Sequence, residues 1–209
     1  ECNFNMSGET LLCAEDMERV KKDIEEPIYK TGFDRGLWIW EAYDSSKKYF
    51  LSADVARGDG QDNSTFLIFN SDNMECVAEY CGKLPIDMFA PLIYETSKEY
   101  GFCLAVVENN SIGMSVLDKL IEMNHPNIYW SRKGSHAHVD QHLAEQQSTA
   151  TPGFTTSVKT RPLIVAKLEE LIRNKVIKTY SQRILNEYKT FVWSAGKAAA
   201  LRGYNDDLV

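Results

Sequence analysis

Between residues 49 and 108, hydrophobic residues concentrate in four short segments, and this pattern predicts four strands of one sheet. Segments 49–55, 64–70 and 75–81 follow one another through short polar connections, which is typical of an antiparallel meander. Segment 102–108 is apolar almost throughout, as in a central strand that is covered on both faces. The pattern therefore favours a mixed α/β sheet.

Helical spacing of apolar residues fills the segments between and after these strands. A helix is predicted from Pro85 to the stop at Gly101, and Ser111 is expected to cap a helix that ends near Met123. The first of these helices allows segment 102–108 to add parallel to the first strand through a right-handed crossover. The remaining predictions are a short strand at 127–130, an irregular stretch at 131–158, helices near 14–24, 160–172 and 181–187, an extended segment at 189–193, a loop at 194–203 and the start of a helix at 204–209.

Length and composition indicate one globular core, since the chain has 209 residues and 44% of them are hydrophobic. We predict a core domain at 48–209 and an N-terminal arm at 1–47 that packs on it. The chain begins with Glu1, and we expect it to be an excised part of a larger protein. No apolar run approaches the roughly 18 residues of a membrane helix, so we expect no membrane partner. The five cysteines lack paired spacing and are expected to be reduced thiols.

Four acidic residues lie where the predicted sheet would bring them together. Asp54 is inside the first strand and Glu108 ends the fourth, while Asp206 and Asp207 begin the predicted last helix. Open α/β sheets bind ligands outside the carboxyl ends of their parallel strands. Converging carboxylates repel one another unless cations bind, and Mg²⁺ or Mn²⁺ takes oxygen ligands of this kind. Two such ions about 4 Å apart could activate a water and stabilise the leaving oxygen of a phosphodiester.

Other interpretations compete with this one. For Asp54 alone, a turn aspartate that backbone amides satisfy has equal weight. Asp62 is a second candidate metal ligand, with a hairpin-turn aspartate as its alternative. Histidines in loops more often bind nothing than zinc, so we expect no zinc site at His125, His136, His138 or His142.

Basic residues are the candidates for DNA contact. The net charge of −7 argues against a generally cationic nucleic-acid binder but not against a local basic face. Arg57 and Arg202 flank the acidic positions in sequence and could contact phosphates. A second set near the start of the helix at 160–172 could form a DNA-facing strip, or else a solvated surface: Arg132, Lys133, Lys159, Arg161 and Lys167.

Three motifs in order, at 52–58, 107–113 and 204–209, resemble the nuclease domain of the large terminase subunit of tailed bacteriophages, especially its myovirus branch. The resemblance covers roughly residues 48–209. It implies a ribonuclease H-like fold with a mixed sheet, an antiparallel meander plus parallel strands, flanked by helices. It also implies metal-dependent cutting of concatemeric viral DNA in the infected host's cytoplasm. On this resemblance, Asp54 and Glu108 are metal ligands and the Asp206–Asp207 pair supplies the third.

The resemblance also implies interaction partners, and two alternative functions remain open. Double-stranded DNA is the expected substrate, and the portal protein and small terminase subunit are expected partners. The chain has no Gly-x-x-x-x-Gly-Lys-[Ser/Thr] loop, so the family's ATPase motor is expected on an N-terminal domain of the full-length protein, with no ATP hydrolysis here. A Holliday-junction resolvase on the same fold and a non-catalytic docking domain are the alternative functions.

Overall fold

The computed structural model describes residues 9–57, 60, 62–110, 112–132, 150–194 and 196–209. Its centre is a six-stranded mixed sheet in the order β2-β3-β6-β5-β4-β7. These strands are Tyr29–Thr31 (β2), Leu37–Ile39 (β3), Tyr49–Asp54 (β4), Ser64–Asn70 (β5), Glu75–Gly82 (β6) and Leu104–Val107 (β7). A 3₁₀ turn at Phe33–Arg35 joins β2 and β3.

The predicted meander and the parallel fourth strand are both confirmed. Strand β5 pairs antiparallel with β4 and β6, and β7 pairs parallel with β4, with Ala53 opposite Val107. Strands β2 and β3 extend the sheet beyond β6. They lie within the predicted arm at 1–47, whose boundary with the core domain stays a prediction.

Helices cover both faces of the sheet because its strands are apolar on both sides. On β5, Phe66 and Ile68 join one core, and Leu67 and Phe69 pack against the other. The first core contains apolar residues of Ile86–Glu99 (α2) and Gly113–Glu122 (α3). The second contains those of Ala14–Lys22 (α1), Thr160–Arg173 (α4) and Gln182–Thr190 (α5). Among the described residues, the helices lack the length and the apolar character that a membrane span requires.

Two small sheets complete the fold and correct two predictions. Strands Glu9–Thr10 (β1), Phe191–Ser194 (β10) and Lys197–Ala200 (β11) form one of them, so part of the predicted loop at 194–203 is a strand. Alanine has little strand preference of its own. The pairing with β10 therefore accounts for the extended conformation of this alanine-rich segment. Strands Trp130–Arg132 (β8) and Ala150–Pro152 (β9) form the other, inside the stretch predicted to be irregular.

The predicted last helix is also corrected. Residues 207–208 form a turn, and the Val209 amide donates to the Asp206 carbonyl at 3.4 Å, a bond that spans three residues instead of the four of an α-helix. The predicted N-cap Ser111 lies outside the described residues.

Candidate active site

A cleft of about 220 Å³ opens where β4 and β7 end, between the sheet and the start of α4. Strand residues form its floor, and α4 and the C-terminal turn form its walls. Its polar lining residues are Ser52, Asp54, Thr65, Glu108, Thr156, Arg161, Asp206 and Asp207. All four predicted acids therefore meet in one place, and they come from three elements: a strand, a strand end and the C-terminal segment.

Strand geometry places Asp54 and Glu108 side by side. Alternate residues of a strand face one side of the sheet, so Asp54 faces the cleft while its neighbour Ala53 is buried in the core. The Glu108 amide donates to the Ala53 carbonyl at 2.9 Å, which continues the parallel pairing of β4 and β7 by one residue. The adjacency of the two strands thus brings the two acids together.

The residues after Glu108 hold its side chain and backbone. The side-chain amide of Asn110 donates to Oε1 of Glu108. Asn109 is buried, and its side-chain amide donates to the Pro152 carbonyl at 2.9 Å. A Cβ added to Gly113 would lie 1.7 Å from the Glu108 carbonyl oxygen. Only glycine therefore lets α3 begin directly against Glu108.

Neutral amide groups hold Asp207 in a fixed orientation. Its Oδ2 accepts hydrogen bonds from the Asn63 backbone amide, the Asn63 side chain and the Asn205 side chain, each at 2.9 Å. The Thr65 hydroxyl donates to the backbone carbonyl of Asp207. Because these three donors share Oδ2, Oδ1 is the carboxylate oxygen left for a ligand among the described residues. These donors therefore orient the Asp207 carboxylate without placing a positive charge on it.

A cation holds Asp206 instead. Nη2 of Arg161 lies 2.6 Å from Oδ2 of Asp206, so the arginine predicted for a separate DNA-facing strip is part of the acidic cleft. Both side chains reach solvent, with 48% of the arginine and 29% of the aspartate side chain exposed.

A half-buried glutamate of α5, Glu187, anchors the C-terminal turn. The Leu208 amide donates to Oε2 of Glu187 at 2.7 Å, and the Leu208 side chain is buried in the second core. Helix α5 is itself fixed to the sheet, because Arg183 forms an ion pair at 2.6 Å with Glu79, which is fully buried on β6. Packing therefore holds the turn that carries Asp206 and Asp207.

The electrostatics of the cleft are those of crowded carboxylates. The pKa of Asp54 is raised to about 7. The main cause is that the cleft walls reduce the hydration of its carboxylate, even though its side chain reaches solvent. The second cause is the nearby negative charge of Glu108 and Asp207. The pKa of Glu187 is raised to about 8, mainly by burial and then by Asp207 and Asp206. A bound divalent cation would offset both effects.

The donor set fits a hard divalent cation, but the described side chains do not form a closed ligand cage. Carboxylate oxygens are the ligands that Mg²⁺ and Mn²⁺ prefer. Within the described residues, no three His, Cys, Asp or Glu side chains are grouped closely enough to hold a metal ion. Among the four acids that line the cleft, Asp206 is paired with Arg161.

The other predicted site residues lie outside this cleft or outside the described part of the chain. Asp62, Arg57, Arg202 and Lys159 are exposed, and Lys167 pairs with Glu170. Four predicted residues lie outside the described part of the chain, as does the side chain of Arg132: Lys133, His136, His138 and His142. His125 is buried and hydrogen-bonds to Ser97 at 2.7 Å, which is a structural role. The described cysteines, Cys13, Cys76, Cys81 and Cys103, are free thiols.

Sequence reasoning missed three residues of the site. Asn63 is next to Asp62, and the acidic neighbour was chosen as the candidate instead. Asn205 lies in the segment predicted to begin the last helix, and that prediction did not indicate its contact with Asp207. Glu187 had a detectable signal, since it is an acidic residue next to the buried face of the amphipathic helix α5.

Comparison with known proteins gives fold relatives. No protein-family model matches the chain. The large terminase nuclease of thermophilic phage G20c, solved with bound magnesium, is 15% identical with a TM-score of 0.69, over 97% of this chain and 93% of that one. Its cobalt-bound form gives the same values. The large terminase nuclease domain of Thermus phage P74-26 is 16% identical with a TM-score of 0.63, over 92% of this chain and 88% of that one. The chain therefore has the ribonuclease H-like fold of phage large terminase nuclease domains.

Proposed function

We propose that this chain is the divalent-metal-dependent nuclease domain of a viral DNA-packaging terminase, and that it cuts concatemeric double-stranded DNA. The observation that carries the proposal is the convergence of Asp54, Glu108 and Asp207 in one cleft at the ends of two parallel strands. The terminase nuclease fold and the magnesium and cobalt bound to the G20c enzyme support it.

The proposed ligands are Asp54, Glu108 and Asp207, with Asp206 as a further ligand. When bound, one or two Mg²⁺ or Mn²⁺ ions would activate water and stabilise the charge that develops on the cleaved phosphodiester. Asn63 and Asn205 keep Asp207 oriented before any metal binds. Asp62 is a weaker candidate ligand, since it does not line the cleft.

The proposal also assigns DNA contacts and partners. Arg57, Arg202 and Lys159 are exposed cations for the DNA backbone, and Arg132 and Lys133 remain candidates for the same role. A packaging ATPase domain of the same protein, the portal protein and the small terminase subunit are the proposed partners. The whole assembly would act in the cytoplasm of an infected bacterial host.

Plasmid cleavage tests the proposal. The 209-residue protein should nick or linearise supercoiled plasmid with Mg²⁺ or Mn²⁺ and should stop when EDTA is added. Asp54→Asn should lower the rate by about 10²-fold or more, because it removes a metal ligand from the reacting centre. Cleavage that persists in EDTA would exclude the metal-dependent function.

Asp72→Asn is the matched control, since Asp72 is an exposed aspartate in the turn between β5 and β6, at the far end of β5 from Thr65 and the cleft. It should cut at the wild-type rate. A four-way junction offered beside linear duplex separates the terminase function from the resolvase alternative, which would prefer the junction.

A further inference from the structure

Two adjacent acids of the cleft have opposite kinds of partner. Asp207 is held by neutral amide donors from Asn63 and Asn205. Asp206 is held by the guanidinium of Arg161, whose Nε also donates to the Ala198 carbonyl at 3.4 Å. Arg161 therefore places a positive charge on a carboxylate of the cleft where a divalent cation is proposed to bind.

We propose that Arg161 is a positioning residue that neutralises Asp206 in the metal-free protein and that Asp206 exchanges this guanidinium for a divalent cation. This inference rests on the proposed function. It makes Arg161 a competitor of the metal, so Arg161 sets how much free cation the cleft needs before Asp206 becomes a ligand.

The exposure of the pair makes such an exchange feasible. About half of the Arg161 side chain and nearly a third of the Asp206 side chain reach solvent. Ion pairs this exposed contribute little free energy because water and salt screen them. The Arg183–Glu79 pair is a contrast within the same fold, since its carboxylate is fully buried and separation would leave a charge without water.

The exchange distinguishes the two adjacent acids of the C-terminal turn. Asp206 is paired with Arg161, so its carboxylate binds a divalent cation only after that pair separates. Asp207 needs no exchange, because its amide donors carry no net charge and occupy one oxygen. Asp207 can therefore act as a ligand at low cation concentration, and Asp206 joins when Arg161 leaves.

Calorimetric titration of Mn²⁺ into the 209-residue protein tests the exchange without measuring cleavage. Arg161→Gln should lower the Kd for Mn²⁺ by about two- to fivefold, the range expected for losing one exposed competing ion pair. Arg173→Gln is the matched control, since it removes the same guanidinium charge at the far end of α4 from an arginine that pairs with Glu169. It should leave the Kd unchanged.

A double-mutant cycle separates direct competition from a general effect of charge. The Asp206→Asn background lacks the carboxylate for which the Arg161 guanidinium and Mn²⁺ compete. In that background, Arg161→Gln should no longer change the Kd for Mn²⁺. An unchanged Kd in the single variant, or the same fold-change in both backgrounds, would overturn the exchange while the proposed metal site stands. If neither the wild type nor Arg161→Gln binds Mn²⁺, the proposed metal site fails, and the exchange fails with it.

Discussion

Replacing Glu187 with Gln removes one charge beside the acidic cleft while it keeps an oxygen that can accept the Leu208 hydrogen bond. The pKa of Glu187 is about 8 in the folded protein, against an ordinary value of 4.5. Between these two values the unfolded chain has released the proton and the folded protein still holds it. The free energy of unfolding of the wild type therefore falls as the pH rises through this window. The free energy of unfolding of Glu187→Gln does not fall for this reason, because the variant has no carboxyl group at this position.

The size of the effect follows from proton linkage. One proton of difference changes the free energy of unfolding by up to about 1.4 kcal/mol per pH unit. Glu187 is half-buried, so solvent screens part of this, and we expect about 0.7 kcal/mol per unit. From pH 5 to pH 8, Glu187→Gln should then gain about 2 kcal/mol over the wild type, with little difference at pH 5.

Urea unfolding in EDTA at pH 5, 6, 7 and 8 measures this difference directly. Glu122→Gln, an exposed glutamate at the end of α3, is the control for removing a carboxylate away from the cleft. A difference between Glu187→Gln and wild type that does not change with pH would refute the reasoning that Glu187 is held protonated beside the Asp206–Asp207 turn.

Three further predictions concern the cleft and the DNA surface. Asp54→Asn should hold or raise the thermal midpoint without metal, more at pH 8 than at pH 5, because it removes an acid whose pKa is raised; a midpoint that falls at both pH values would contradict this. Asn63→Ala should weaken Mn²⁺ binding by about tenfold in calorimetry, since it removes one of the three donors that orient the carboxylate of Asp207; an unchanged Kd would show that the remaining donors suffice. Lys159→Gln should reduce the slope of log K for DNA against log salt by about 0.9, and an unchanged slope would place the DNA elsewhere.

The centre of the fold was predictable because strong local patterns specify it. The continuous apolar run at 102–108 indicated a covered strand, and the helix before it allowed that strand to add parallel to the first. Strand β7 pairs with β4 in this way. The positions of Asp54 and Glu108 follow from that pairing and from strand alternation alone. Their proximity was therefore available from the sequence.

The edges of the fold were less predictable because their elements depend on partners. Strands β2 and β3 have three residues each, too few to show a period, and they form by pairing beside β6. Strand β11 is mostly alanine and exists through its pairing with β10.

The partners of the acids were not predictable, since they come from distant parts of the chain. Asn63 reaches Asp207 across 144 residues, and Arg161 reaches Asp206 across 45. No local pattern marks such a contact. Each depends on how the C-terminal turn packs between α4 and the end of the sheet.

Anomalous diffraction from crystals of the protein soaked in Mn²⁺ is the most direct test of the central claim that the acidic cleft binds divalent cations. We predict at least one manganese peak about 2.1 Å from carboxylate oxygens of Asp54 and Asp207, near enough to Glu108 for it to complete the site. An absence of manganese from the cleft, or a peak held by residues elsewhere, would contradict the account.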